Sequence, residues 1–142
     1  MRNIARRGFQ VERYLARKFN RYGFAVIRGP ASGRKGKHLK YPDLVALYSK
    51  RILVFEVKSI YQPRDIYIPR EEVEKIRSFA KIAKGEAYIA VKIYREPTVR
   101  IIPIDKLEET SGGKYKLKKE DIETAMSLEE LVMRVKAESK RE

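Results

Sequence analysis

Residues 42–58 read Pro42-Asp43-Leu44-Val45-Ala46-Leu47-Tyr48-Ser49-Lys50-Arg51-Ile52-Leu53-Val54-Phe55-Glu56-Val57-Lys58, and the fold turns on them. Two apolar runs, 43–48 and 51–58, flank Ser49-Lys50, which predicts two strands joined by a tight hairpin. With a two-residue turn, Tyr48 pairs with Arg51, and counting outward sets Asp43 opposite Glu56. Directly opposed side chains have Cβ atoms roughly 4.5–5.5 Å apart, a spacing at which two carboxylates repel. A bound cation is the simple compensation. Side chains alternate along a strand, so Glu56 and Lys58 share a face with Ile52 and Val54, while Leu53, Phe55 and Val57 point the other way. A carboxylate and an ammonium are thus inserted into an otherwise apolar strand.

Upstream, residues 3–22 have the period of an amphipathic helix. Ile4, Gly8, Val11, Leu15, Phe19 and Tyr22 fall in one stripe, with Arg6, Arg7, Arg13, Arg17 and Arg21 outside it. Gly23 suits the residue just past the helix. Glu12 lies beside the apolar stripe, an unusual place for an acid. If that stripe packs on the sheet, Glu12 reaches toward Asp43 and Glu56. Residues 24–28 predict a short strand. Residues 29–42 form a Gly- and Pro-containing basic loop, of a length that suggests mobility and function.

Downstream, the apolar pattern predicts a short edge strand at 66–68 and a helix over 70–84 with Val73, Ile76, Phe79, Ala80 and Ala83 on one face. It also predicts strands at 87–93 and 98–104. A last helix spans 127–136, where Ser127 and Glu130 form a capping-box pattern. Residues 95–97 and 110–119 read as surface connections. The two late strands hold more apolar residues than one core face needs, so one of them, or the last helix, is a candidate for a subunit interface. No repeat or long linker interrupts residues 1–142, which predicts a single α/β domain.

Composition narrows the chemistry. Lys and Arg number 33 against 19 acids, a formal charge of +14 with a pI near 10. Such an excess implies a polyanionic partner, above all nucleic acid. There is no cysteine and a single histidine, His38, so thiolate and multi-imidazole metal sites are excluded. The lack of cysteine also fits an intracellular protein. No apolar run approaches the ~20 residues of a membrane span. Amides are confined to Asn3, Gln10, Asn20 and Gln62, which together with abundant Lys, Arg and Glu suggests a thermophilic source.

Three acids and a lysine in this setting make sense for phosphodiester hydrolysis. Oxygen ligands from Glu12, Asp43 and Glu56 suit Mg²⁺ or Mn²⁺, and Lys58 can orient water or stabilise charge on the phosphate. Taken singly, the same residues have plainer readings. Glu56 and Lys58 also read as a partly buried ion pair, Asp43 as a turn acid, and Glu12 as an acid at the stripe's edge.

The spacing Pro42-Asp43…Glu56-Val57-Lys58 resembles the PD-(D/E)XK nuclease signature. With Arg6-Arg7-Gly8…Glu12-Arg13, Gly23-Phe24-Ala25-Val26-Ile27-Arg28, Pro30-Ala31-Ser32-Gly33 and Pro42-Asp43-Leu44-Val45-Ala46-Leu47, the chain is similar to the archaeal Holliday junction resolvases. The resemblance is strongest from Arg6 to Lys58. It implies a restriction-endonuclease-like α/β fold, a mixed central sheet flanked by helices, assembled as a homodimer. It also implies a metal held by Glu12, Asp43 and Glu56, catalytic roles for Lys58 and Ser32, and DNA contacts from Arg6, Arg7 and Arg28. On its own Ser32 is an ordinary loop serine. Arg34, Lys35, Lys37 and Lys40 follow it and can neutralise phosphates; His38 reads equally as a solvated side chain. The expected activity is resolution of four-way DNA junctions by paired nicks, inside the cell and on the nucleoid. A related nuclease of repair or restriction, or a non-enzymatic nucleic-acid binder, are the rival readings.

Overall fold

A computed structural model describes residues 4–30 and 41–141 of the chain, with side chains described from Gln10 onward. Ser32, Gly33, Arg34, Lys35, Lys37, His38 and Lys40 lie outside the described residues, as do the side chains of Arg6 and Arg7.

The expected hairpin forms as β2 (Leu44–Tyr48) and β3 (Arg51–Ile60). Tyr48 pairs with Arg51 and the ladder runs without a slip to Leu44 opposite Phe55. The turn works because Ser49 takes a left-handed conformation, φ 55°, in a type of tight turn that needs positive φ at its first central residue. Asp43 stands one residue outside the strand. Its N–H donates to the carbonyl of Phe55 at 3.1 Å, not to that of Glu56, so the regular pairing stops just before the two acids.

The helix α1 (Ile4–Arg21) precedes β1 (Ala25–Arg28), which pairs antiparallel with β2. Gly23 joins them at φ 90°, a conformation glycine adopts without strain. After β3 come β4 (Ile66–Ile68), α2 (Arg70–Ala83), β5 (Glu86–Ile93) and β6 (Val99–Pro103). A one-turn 3₁₀ helix then leads to β7 (Glu108–Glu109), β8 (Tyr115–Leu117), α3 (Lys119–Glu123), β9 (Met126–Ser127) and α4 (Leu128–Ser139). The central sheet has the order β1-β2-β3-β5-β6-β9. Only β3 and β5 are parallel, and α2 lies in the crossover between them, as parallel pairing requires. The sheet is therefore mixed and flanked by helices, as expected. At α4 the capping box forms in full: Glu130 N–H donates to Ser127 Oγ at 3.1 Å, and Ser127 N–H to Glu130 Oε1 at 3.0 Å.

Both faces of the sheet are buried. On one, Leu53, Phe55, Val57, Ala90 and Ile101 pack against α1 and α4. Phe55 meets Phe19 of α1 at 5.3 Å and Tyr88 at 5.6 Å between ring centres; such pairs add about 0.5–1.5 kcal/mol each beyond their buried area. On the other, Val54, Ile89, Val91 and Ile102 pack against α2 and the small sheet β4-β8-β7. This second core buries the apolar side chains of β5 and β6 that one core face does not use. It also corrects the reading of residues 110–119 as a surface connection. Tyr115 and Leu117 are buried, and β8 pairs with β4 and β7. A three-residue strand is too short to register as periodicity.

Candidate active site

Beyond Phe55, β3 continues to Ile60 alongside β5, but β2 has ended. Glu56 and Lys58 sit at the start of this overhang. Among the described residues Glu56 is the one buried charged side chain, 5% exposed, so its environment decides what the site can do.

Three elements converge there. From β2's approach, the carboxylate of Asp43 accepts a hydrogen bond from Val57 N–H at 2.8 Å, replacing the missing strand with a side chain. The position of Asp43 is fixed from behind: Gly29 N–H donates to its carbonyl at 2.9 Å. A Cβ on residue 29 would stand 2.3 Å from the carbonyl oxygen of Pro42, so only glycine lets the chain pass this close. From α1, Glu12 approaches half-buried, with Arg28 Nη2 3.9 Å from its Oε1.

The third element is α2, whose part the sequence does not announce. Lys75 Nζ stands 3.3 Å from Glu56 Oε1, and Lys58 Nζ donates to Glu72 Oε1 at 2.6 Å. Glu56 and Lys58 therefore do not pair with each other; each takes its counter-ion from α2. A signal was present. Glu72 lies at helical spacing with Ile76 and Phe79, an acid on a packed face of the same kind as Glu12.

The electrostatics are those of crowded acids. Burial first, and then the charge of Asp43, push the Glu56 carboxyl up to about 8. The same two causes, in the same order, raise Glu12 to about 7. The charge of Asp43 thus acts on both glutamates. Lys75 offsets part of the effect on each. Among the described residues Glu56 Oε1 is buried with no hydrogen bond, and its charge is met by Lys75 at 3.3 Å.

That spare oxygen tests whether the residues fit a metal ion. Among the described residues no three acidic or histidine side chains gather into a ready-made cage. Asp43 and Glu56 offer two hard oxygen donors beyond the end of β2. This suits Mg²⁺ or Mn²⁺: Mg²⁺ in particular takes one or two carboxylates and completes its shell with water and substrate phosphate. Glu12 feels the charge of Asp43 from the α1 side.

The family comparison decides the class. Residues 3–140 match the archaeal Holliday junction resolvase (Hjc) family. The chain belongs to that family. Among the resolvases, the crossover junction endodeoxyribonuclease Hjc of Sulfurisphaera tokodaii is 44% identical over 135 residues, 95% of this chain and 92% of the relative. That of Sulfolobus acidocaldarius is 38% identical over 126 residues, 89% of this chain and 86% of the relative. The solved structure of the Archaeoglobus fulgidus resolvase superposes with a TM-score of 0.74 at 28% identity, covering 89% of this chain and 95% of that one. The source of that structure is an archaeal hyperthermophile, in keeping with the charge-rich, amide-poor composition.

Of the residues singled out from the sequence, Asp43 and Glu56 meet beyond the end of β2 and Lys58 follows on the same strand, while Glu12 lies near enough to feel the charge of Asp43 and pairs with Arg28; among the described residues the three acids do not close into the single ligand set expected. Arg13, Arg17 and Arg21 line the exposed side of α1.

Proposed function

We propose that the chain is a structure-selective endodeoxyribonuclease that resolves four-way DNA junctions by metal-dependent hydrolysis, nicking two opposed strands. The observation that carries this reading is the buried Glu56 carboxyl, without a hydrogen bond at Oε1 among the described residues and crowded by Asp43, beyond the end of β2 and on one strand with Lys58.

In this reading Asp43 and Glu56 hold Mg²⁺ or Mn²⁺, with Glu12 as the third acid. When bound, the ion supplies charge that polarises the phosphoryl group and neutralises the leaving oxygen. Lys58 presents its ammonium to the scissile phosphate or the attacking water. Glu72, 2.6 Å away, holds that ammonium in place until substrate arrives. Lys75 keeps the Glu56 carboxylate paired while no metal is bound. Ser32 acts in cleavage from the basic loop. Arg6, Arg7, Arg28, Arg34, Lys35, Lys37 and Lys40 contact the DNA backbone, which positions the duplex arms but reads no sequence. Paired nicks call for two sites related by two-fold symmetry, so the working form is a homodimer. Its substrate places it inside the cell, on the nucleoid.

Replacing Asp43 with Ala is expected to abolish cleavage while junction binding, measured by gel shift, stays within a few-fold of wild type. Equal loss of both would count against the metal role. Replacing Arg34 and Lys35 together with Ala should weaken binding and flatten its salt dependence, by about 0.9 in log–log slope for each phosphate no longer neutralised. An unchanged slope would show that these cations do not touch DNA.

A further inference from the structure

Two ion pairs link β3 to α2, and they are unequal. Lys58 Nζ donates a short hydrogen bond to Glu72 Oε1 at 2.6 Å. Lys75 Nζ stands 3.3 Å from Glu56 Oε1, yet that oxygen accepts no hydrogen bond among the described residues. The second pair is therefore held by charge alone. Its cation also serves more than one acid, for the charge of Lys75 acts on Glu12 as well as on Glu56. One cation shared by these two glutamates is what the nuclease reading asks of the metal.

Lysine suits a cation that has to leave. Its ammonium is a compact point charge on a flexible stem. The Lys75 side chain is 24% exposed against 7% for that of Glu56, so the ammonium is not sealed in with its partner. A receiver stands one helical turn back. Glu72 lies three residues before Lys75 on α2, and residues at that spacing are neighbours on the helix surface, roughly 5–6 Å apart at Cβ. A carboxylate accepts from more than one ammonium, and a second cation on Glu72 weakens its hold on Lys58.

We propose that Lys75 is a built-in competitor of the metal, occupying Glu56 until the ion loads and then passing to Glu72, where it loosens the grip on Lys58. This inference rests on the metal-dependent reading above and adds an order of events to it. Lys75 leaves Glu56 first. Glu72 is then shared between two ammonium groups, and that of Lys58 turns to the phosphate when substrate arrives. The exchange keeps Lys58 tied while the acids are empty and releases it once they are filled. Lys75 is a positioning residue, acting through Glu56 and Glu72.

The test is Mg²⁺ binding to the full-length protein without DNA, by titration calorimetry at about pH 9, above the range in which Glu12 and Glu56 lose their protons. Lys75→Met is expected to bind Mg²⁺ roughly tenfold more tightly than wild type. Lys75→Gln should repeat the gain, and Lys75→Arg, which keeps the charge, should show none. Lys81→Met, which removes an exposed cation from the same helix, should stay within about twofold of wild type. In the Glu72→Gln background the gain from Lys75→Met should grow by a further factor of roughly three, because the ammonium there has no receiver. Wild-type or weaker Mg²⁺ affinity in both neutral variants would make Lys75 a structural partner of Glu56 and overturn the competitor. A gain of equal size with and without Glu72 overturns the transfer. A wild-type protein that binds no Mg²⁺ removes the metal reading and this inference together.

Discussion

The substitution Glu56→Gln is expected to abolish junction cleavage, by at least roughly 10³-fold, and at the same time to make the metal-free protein more stable at alkaline pH. The two effects share one cause. Burial and the Asp43 charge push the folded-state Glu56 carboxyl from 4.5 to about 8. The unfolded chain releases this proton near the lower value and the folded chain near the higher. Folding therefore favours the protonated form, and wild-type stability falls as pH rises from about 4.5 to about 8. Glutamine has the same shape and no charge to lose, so it escapes the penalty. With about 1.4 kcal/mol per unit as a ceiling, and with relaxation around Lys75 reducing it, the gain is on the order of 2–4 kcal/mol above about pH 8. At roughly 3 °C per kcal/mol for a chain of this size, thermal melts should rise by about 6–12 °C. Below about pH 4 the two melts should coincide. Added Mg²⁺ should stabilise wild type and leave the variant nearly unmoved. A variant melting below wild type at alkaline pH would show that Glu56 is a structural anion and not an acid held for a cation.

Lys58→Met is expected to lower the single-turnover cleavage rate by roughly 10²–10³-fold with little change in junction affinity, because its ammonium is assigned to the reacting phosphate or water. Glu72→Gln removes the other half of the same 2.6 Å ion pair, yet should slow cleavage by no more than about tenfold, since it releases Lys58 without deleting it. The comparison matters because the plainer reading of Lys58, as half of a structural ion pair, makes the opposite forecast. If the pair were only structural, the two substitutions would have similar, small effects on rate. They would also have similar effects on stability, for a partly exposed pair contributes about 0–1 kcal/mol.

Much of this site is legible in the order of the residues. Ser49-Lys50 sets the hairpin register, and Leu44 opposite Phe55 agrees with it. Glu12 stands out on the packed side of an amphipathic helix, and Ser127 with Glu130 marks the start of α4. The alternation rule also separates the two sides of β3, Phe55 toward α1 and Val54 toward α2. What escapes is tertiary. That Lys58 pairs with Glu72, and Glu56 with Lys75, follows from where α2 crosses β3, and no local pattern states a crossing. The departure of Asp43 from the strand is similar. It depends on Gly29 passing against Pro42 from another strand's end. The small sheet β4-β8-β7 is hidden in part because its strands are two or three residues long, below the length at which period-2 alternation carries weight.

The most direct measurement compares wild-type nicking of a four-way junction, a linear duplex with the same arm sequences, and single-stranded DNA, each with Mg²⁺ and with EDTA. The account predicts symmetric paired nicks in the junction alone, and only with the metal. Equal cutting of duplex and junction, or undiminished cutting in EDTA, would contradict it.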